Sequence, residues 1–403
     1  MAATGLPLEG VRVVEMTHMV MVPACGMILA QLGAEVIKVE PPAGDKTRAL
    51  GGMGTAFFPL FNRGKRSVVL DFEREEDRET MHRLLATSDV FLENFRDGQL
   101  EKQGLGADEL RRRHPHLIIA GHKGFLSGPY EHRPALDEVV QMMSGLAAMT
   151  GTREKPQRVG SSANDIMGGM FGVISILAAL YQKRAGANEN AKENANEDAG
   201  RGADIRIGLF ENCLFLVAQH MVEYEMTGNK PRSMPEREHA WPIYDIFDAA
   251  GGNRIFIGVV TEGHWQSFCR EFGLQEFLDD PSLRTTTDRI FARGRIIPRV
   301  AEEIKRWDVK KLSAKLDALN ICFSPINRPE DLFDDPHVLR PGGLVNNVDA
   351  NGVPFRVPAL PIEWNGANLG EGLKVAPLGA DTAAVRAELE QQTPTTKTAG
   401  RRA

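Results

Sequence analysis

The feature that most limits how this chain folds is the alternation between β-branched runs and helical patterns through its first third. Val11–Met16 (VRVVEM), Ala34–Glu40 (AEVIKVE), Lys65–Phe72 (KRSVVLDF), Asp89–Phe95 (DVFLENF) and His116–Phe125 (HLIIAGHKGF) read as strands. Between the first two, THMVMVPACGMILAQLG predicts a loop and then a helix, with Pro23 in the first turn and Gly33 just past the end. Pro41 and Pro42 stop the second strand, Pro41–Thr55 reads as loop, and Glu73–Ala86 as a charged amphipathic helix. Strands alternating with helices predict an α/β domain with a largely parallel sheet. In such sheets ligands lie beyond the carboxyl ends of the strands, which here carry Thr17–Met21, Asp71–Glu73, Asn94–Arg96 and His122–Gly124. No G-x-G-x-x-G follows the first strand and no G-x-x-x-x-G-K-[ST] occurs, which argues against a nicotinamide or P-loop enzyme.

Gln141–Gly151 reads as a helix ended by glycine, and Gly160–Leu180 (GSSANDIMGGMFGVISILAAL) as a short loop running into a long apolar helix. Ile166, Met170, Phe171, Ile174, Leu177 and Tyr181 recur at roughly helical spacing. Asn164 and Asp165 stand where that helix is expected to start, and both are good N-cap residues. Gly168 and Gly169 follow within the first turn and would let another backbone or a ligand approach closely. From the residues alone Asp165 has two readings: a cap, or a nucleophile kept ionised by the helix N-terminus. Gly186–Gly202 is polar, of low complexity and without aromatics, and reads as a solvated excursion. A strand and an apolar helix follow to about Gly228, and Asn229–Glu238 reads as a linker. A second domain is expected to open near His239 with a hairpin turning at Gly251-Gly252-Asn253. Helical patterns follow at Glu262–Phe272, Arg289–Trp307 and Val309–Ala318. From about Cys322 the chain is loop-rich, then strand in GVPFRVPALPI, and from about Gln391 it reads as disordered. These divisions give a first part of a large domain at 1–228, a small domain at 229–320, and a return to the large domain with a tail at 321–403.

A net charge of -6 gives no basic footprint for nucleic acid. The N-terminus lacks the basic and apolar regions of a secretory signal. The run Ile166–Leu180, broken by three glycines, is too short to span a bilayer. These features predict a soluble, cytoplasmic protein. Cys25, Cys213, Cys269 and Cys322 form no C-x-x-C pair, and the ten histidines include no H-E-x-x-H, so neither a zinc site nor a disulfide framework is expected.

Six segments in order carry a resemblance. LEGVRVVEMTHMVMVPACGMILAQLGAEVIKVEPP, FNRGKRSVVLDF, DVFLENFRDGQLEKQGLG, PALDEVVQMMSGLAAMTG, NDIMGGMFGVISILAAL and VAPLGADTAAV resemble the class III CoA-transferases. That family includes formyl-CoA transferase and carnitine CoA-transferase, and is related to the α-methylacyl-CoA racemases. The resemblance spans roughly residues 6 to 385. It implies an α/β protein: a Rossmann-like large domain built from both chain ends, a smaller α+β domain between them, and an interlocked homodimer. It implies that the partners are an acyl-CoA and a carboxylic acid, that coenzyme A enters as part of the substrate, and that no cofactor or metal is bound permanently.

The family's catalytic aspartate falls on Asp165, which favours the nucleophile over the cap. Its carboxylate is expected to attack the acyl-CoA thioester, giving an aspartyl anhydride and then an aspartyl-CoA thioester. Backbone N–H groups near Gly168 and Gly169 are expected to support the oxyanions, and Asp137 aligns with an acidic position that supports the site. His18, Met19, Val20 and Met21 resemble the loop that lines the CoA, and Leu70, Asn94, Phe95, Lys102 and Lys123 resemble positions that hold its nucleotide end. A basic residue often follows the second strand in relatives. Pro41 stands there in this chain, so Lys38, Lys46 or Arg48 is expected to supply phosphate contact instead.

In the racemases a histidine acts as acid/base at the position of Leu136. A racemase needs two proton-transfer groups, so Leu136 argues for transfer, with His122 as a remote substitute. The glycine-rich run of formyl-CoA transferase has no counterpart. Glu238-His239-Ala240-Trp241-Pro242 stands there, and Arg232, Arg237 and His239 are expected to meet a second carboxylate, favouring a dicarboxylic acid. A racemase or a CoA-binding protein without catalysis remains as the alternative.

Overall fold

A computed structural model describes residues 5–187, 200–237 and 239–392. Two readings made above, the body of the Gly186–Gly202 excursion and the tail beyond Gln391, lie largely outside those residues. The chain divides into two compact units, one of Met1–Pro235 with Leu339–Ala403 and one of Glu236–Val338.

The first unit is built on six parallel strands: β1 Arg12–Met16, β2 Glu35–Glu40, β3 Arg66–Val69, β4 Val90–Glu93, β5 Ile118–Lys123 and β6 Asp204–Gly208. Their order is β3-β2-β1-β4-β5-β6, the doubly wound order with its reversal between β1 and β4. Successive side chains point to opposite faces of a strand, and β1 to β5 are apolar at both parities because both faces are covered, whereas the edge strand β6 (DIRIG) alternates. Thus Val13, Leu92 and Ile118 join one core while Val14, Phe91 and Ile119 join the other. Each such fully buried side chain stabilises the fold by about 1.5–3 kcal/mol.

The first core is covered by helices α1 Met21–Gln31 and, from Ala163 to Ala187, α7. Helices α2 Phe57–Asn62, α3 Glu75–Ala86 and α4 Ala107–Arg113 follow in chain order. The helix read at Gln141–Gly151 is two helices, α5 Asp137–Met143 and α6 Leu146–Thr150. They are split at Gly145, whose φ of 87° lies outside any right-handed helix. Then come α7 Ala163–Ala187 and α8 Leu209–Thr227.

Helix α7 is 25 residues long, so by length and composition alone it would cross a membrane. Here it packs on α1 and the sheet. Its buried face is made of small and branched residues, among them Gly168, Gly169, Gly172, Val173 and Ile176. The stripe read at helical spacing lies on the other side: Met170, Ile174 and Tyr181 are exposed within one chain, as are Phe215, Met221 and Met226 of α8. The helix is apolar on both faces, so periodicity alone could not choose between them.

The second unit carries an antiparallel sheet of β7 Ile243–Asp248, β8 Arg254–Val259 and β9 Cys322–Pro325. Gly251 and Gly252, both at positive φ, turn the β7–β8 hairpin. Five helices surround it: α9 Glu262–Glu271, α10 Gln275–Asp279, α11 Thr286–Phe291, α12 Arg293–Ile304 and α13 Val309–Ala318. Trp265, Phe268 and Ile296 lie in its core. Because β9 completes this sheet, the chain returns to the first unit at Leu339. The return begins with β10 Leu344–Val348, β11 Pro354–Pro358 and the short pair β12 Glu363–Trp364 and β13 Ala367–Asn368, and ends in α14 Thr382–Gln392. Helix α14 docks on β3 and α3 through Arg66 to Glu388 (2.7 Å) and through an Arg386–Asp77 ion pair.

Candidate active site

Two clusters of functional side chains form in the first unit. One lies at the sheet's reversal point, where the loop after β1 meets the end of β4. There His18 N–H donates to Asn94 Oδ1 (3.2 Å) and Asn94 Nδ2 donates to the His18 carbonyl (2.9 Å). The Phe95 ring stands edge-on to His18 with centroids 6.1 Å apart. Met19 takes a φ of 67°, a conformation a bulky side chain adopts only where its surroundings impose it. His18 and Met19 are exposed, whereas Val20 and Met21 point into the core.

Two buried lysines hold the ends of this loop. Lys38 Nζ donates to the Thr17 carbonyl (2.7 Å) and pairs with Asp45 (3.0 Å). Lys65 Nζ donates to the Pro23 carbonyl (2.9 Å) and pairs with Glu15 (2.8 Å). Glu15 is wholly buried and Lys38 nearly so. Burial pulls the Lys65 ammonium down to about 8 against the raising influence of Glu15. This corrects two expectations. Lys38 is not available to a phosphate, and Arg48 is engaged by Glu40 (2.7 Å) and the Ala376 carbonyl (3.1 Å). Lys46 is exposed.

The remaining residues expected at the nucleotide end are spread over several environments. Leu70 is core, fully buried. Lys102 lies exposed in a short turn. Lys123 Nζ is taken up by Glu93 (2.8 Å), Asp97 (3.6 Å) and the Phe95 carbonyl (2.9 Å). A cavity of about 210 Å³ opens there, with Arg96, Asp97, Lys123 and Arg206 among its lining residues.

The second cluster surrounds Asp165. The Ile166 N–H donates to the Ser162 carbonyl (2.9 Å) and α7 begins at Ala163. Ser162 is therefore the flanking residue, and Asp165 is third in the helix instead of its cap. Gly168 and Gly169 lie beyond the first turn, where N–H groups are used by the helical ladder, so they are not oxyanion donors. Their role is packing. A Cβ at Gly168 would stand 2.4 Å from Met21 Cε, and one at Gly169 would stand 2.6 Å from the Met21 carbonyl oxygen. The glycines thus seat α7 against the start of α1 and link the two clusters.

Asp165 is half-buried. Its carboxyl is pushed up to about 7, first by burial and then by the charge of Asp137, with Arg158 pulling the other way. Asp137, the first residue of α5, is buried, and its own carboxyl is raised by burial. The Gln141 amide, the Arg158 charge, the Asn164 side chain and the Asp165 N–H oppose that shift. Asn164 is fixed in turn, because Asn212 Nδ2 donates to its carbonyl (2.6 Å) and its Oδ1 (2.7 Å). Arg158 also pairs with Glu138. Sequence reasoning missed Gln141, Arg158, Asn164's partner Asn212 and the two lysine straps; each acts through a contact between segments distant in sequence.

His122 does not join this cluster. It is buried where a Cβ on Gly172 would stand 2.5 Å from its Nε2, and burial lowers it to about 4. Arg237 and His239 belong to the second unit. There Arg237 lies over the Tyr244 ring (5.9 Å), and His239 is lowered by burial and then by the Arg293 charge. Among the described residues no group of three or more His, Cys, Asp and Glu is placed to hold a metal.

The strand order and the clasped loop at its reversal define an α/β protein of Rossmann-like order that works without a glycine-rich phosphate loop. Within that class the chain belongs to CoA-transferase family III, whose model matches residues 8–382. It is 30% identical to a succinate–glutarate CoA-transferase of Agrobacterium fabrum, over 95% of this chain and 96% of that one. It is also 30% identical to a succinyl-CoA–D-citramalate CoA-transferase of Chloroflexus aurantiacus, over 91% and 92%. The crystal structure of a CAIB/BAIF family protein from Brucella suis superposes with a TM-score of 0.83 at 32% identity, covering 96% of this chain and all of that one.

Proposed function

We propose that this protein moves CoA from an acyl-CoA to a dicarboxylic acid, with Asp165 as the nucleophile. The observation that carries the reading is a half-buried carboxylate in the first turn of α7, its carboxyl raised to about 7 beside a second carboxylate. A carboxylate so raised is a stronger base and nucleophile than a solvated one, yet is still about half ionised near neutral pH. An Asp165 oxygen attacks the thioester carbonyl, the C–S bond breaks, and CoA leaves as thiolate with an aspartyl anhydride behind it. The thiolate attacks the Asp165 γ-carbon, the donor acid departs as carboxylate, and an aspartyl-CoA thioester remains. The acceptor carboxylate runs the two steps in reverse. No net proton is needed, which suits a site built from carboxylates.

The relatives that act on succinate, glutarate and citramalate by name support a dicarboxylate. We infer that Arg237 and His239 contact the acceptor's second carboxylate, and an unchanged acceptor KM in Arg237→Ala removes Arg237. The exposed apolar faces of α7 and α8 support a homodimer, because a patch of that kind on a single chain calls for a cover. A racemase fits less well: Leu136 is exposed beside Asp137, and His122 is shut away under Gly172.

Intact-mass spectrometry tests the reading. Incubation with succinyl-CoA or glutaryl-CoA is expected to add a CoA-sized, hydroxylamine-labile adduct to the native chain and none to Asp165→Ala. An adduct on the alanine variant, or turnover by it, overturns the assignment.

A further inference from the structure

Gln141 is wholly buried, yet it is a polar side chain in the middle of α5. Burying an amide is favourable only when its donor and acceptor are both used. Here both are used, on opposite sides. Nε2 donates to Asp137 Oδ2 at 2.7 Å, one helical turn back. Oε1 accepts from the Val159 N–H at 2.9 Å, in the loop that leads into α7. One amide therefore joins the carboxylate of α5 to the segment that delivers Asp165 six residues later.

Other contacts hold the same loop: the Gln157 N–H donates to the Ala147 carbonyl of α6 (3.1 Å), and Thr152 and Lys155 exchange backbone hydrogen bonds (3.1 Å each). Arg158, next to Val159, reaches Glu138 of α5 and the Val159 carbonyl (3.1 Å), and both contacts stand partly in solvent. On the far side, Asn212 of α8 holds Asn164. Asp165 is thus gripped from two directions, and Gln141 is the buried grip on the Asp137 side.

We propose that Gln141 is a positioning residue for the transfer: it clasps Asp137 and the Val159 backbone together, and so sets the spacing of the two carboxylates. This rests on the reading of Asp165 as the nucleophile. An amide suits the task because it has one donor side and one acceptor side at fixed separation. A carboxylate there would repel Asp137, and a hydrocarbon would leave the Val159 N–H and an Asp137 oxygen without partners. The groups that act on the pair are Arg158 in the loop and Asn164 on α7, with Cys213 of α8 in the field of Asp137; Glu138 pairs with Arg158, and Asn212 holds Asn164.

A double-mutant cycle on the full-length protein tests this with succinyl-CoA as donor and glutarate as acceptor. Gln141→Met keeps the length and removes the amide. It is expected to lower kcat by about 10- to 100-fold, as misplacement of a reacting group does, and to leave the succinyl-CoA KM within about two-fold. In an Asp137→Asn background the same change is expected to lower kcat by less than about two-fold, because its effect passes through Asp137. Independent, multiplying effects overturn the proposal, as does an unaffected kcat.

Should Gln141→Met not fold, Gln141→Glu carries the test, since its side chain still accepts from the Val159 N–H. The added charge is expected to move the acid limb of kcat/KM to higher pH by about half a unit or more. An unmoved limb overturns the proposal. Turnover by Asp165→Ala would instead sink the underlying assignment. Loss of turnover in that variant, with Gln141→Met fully active, would sink only the role of Gln141.

Discussion

The two ends of this site bury carboxylates in opposite ways. Beneath the His18–Met21 loop, Glu15 and Asp45 are each met by a buried ammonium, Lys65 at 2.8 Å and Lys38 at 3.0 Å. Each lysine spends a further donor on a backbone carbonyl. Around Asp165 the buried partner is another carboxylate, and the opposing charge that acts on it, Arg158, is shared with Glu138. The first arrangement makes a rigid loop and gives up reactivity. The second leaves a carboxylate short of compensation, which raises its basicity and costs stability. Burial alone does not decide whether a charged group is structural or chemical; the sign of its nearest buried neighbour does.

Asp165→Asn is the change that would break this contrast most sharply. If Asp165 is the nucleophile, transfer falls by at least about 10³-fold. The same substitution is expected to raise Tm. Because the folded carboxyl titrates near 7 instead of near 3.8, its ionised form is penalised in the folded state. That penalty is absent below about pH 4 and complete above about pH 7. The variant should therefore melt about 2–4 °C higher than the native protein at pH 8, and no higher at pH 4. A lower melting point at pH 8, in calorimetry at both pH values, would show that Asp165 is compensated after all.

Lys38→Met tests the opposite end. It removes one partner of a fully buried pair and leaves Asp45 without its cation. Loss of one member of such a pair costs about 3–5 kcal/mol, or roughly 5 °C in Tm for a chain of this size. An unchanged Tm would mean that the network does not hold the fold and that the contrast between the two ends is only one of composition.

Much of the frame was legible before any coordinate. Five of the six sheet strands are apolar runs at both parities, and a strand buried on two faces leaves that mark. The start of α7 was legible to within two residues, from Asn164, Asp165 and the apolar run that follows, but those residues left Asp165 open between cap and nucleophile, and only the family resemblance favoured the second. Other features were not, for physical reasons. Lys38 sits in a strand beside β1, which supplies Glu15 and, just past its end, Thr17, while a loop supplies Asp45, so its burial is decided by contacts across the sheet. The resemblance to relatives with a basic residue after the second strand made Lys38 a candidate phosphate ligand, and nothing in its own neighbourhood in the sequence argued otherwise. Helix α7 defeated periodicity because Gly168, Gly169 and Gly172 make its packing face, and glycines carry no hydrophobic signal. Gln141 gave no signal either: a glutamine in an apolar helix is ordinary until Val159 is found opposite it.

The smallest expected effect is the most discriminating, because two substitutions should act with opposite signs on one curve. The acid limb of kcat/KM should lie near pH 7, where Asp165 loses its proton. The charge of Asp137 holds that ionisation up and the charge of Arg158 holds it down. Asp137→Asn should therefore move the limb to lower pH, and Arg158→Gln to higher pH, each by up to about one unit for a partly solvated neighbour. Because the two carboxyls interact, the limb reports the pair, and Asp137→Asn should also sharpen it to a single ionisation. Both variants moving the limb the same way would mean that they act by disturbing the loop, not by charge. Neither moving it would place the titrating group elsewhere, and the uncompensated carboxylate would lose its claim to be the reactive end of the site.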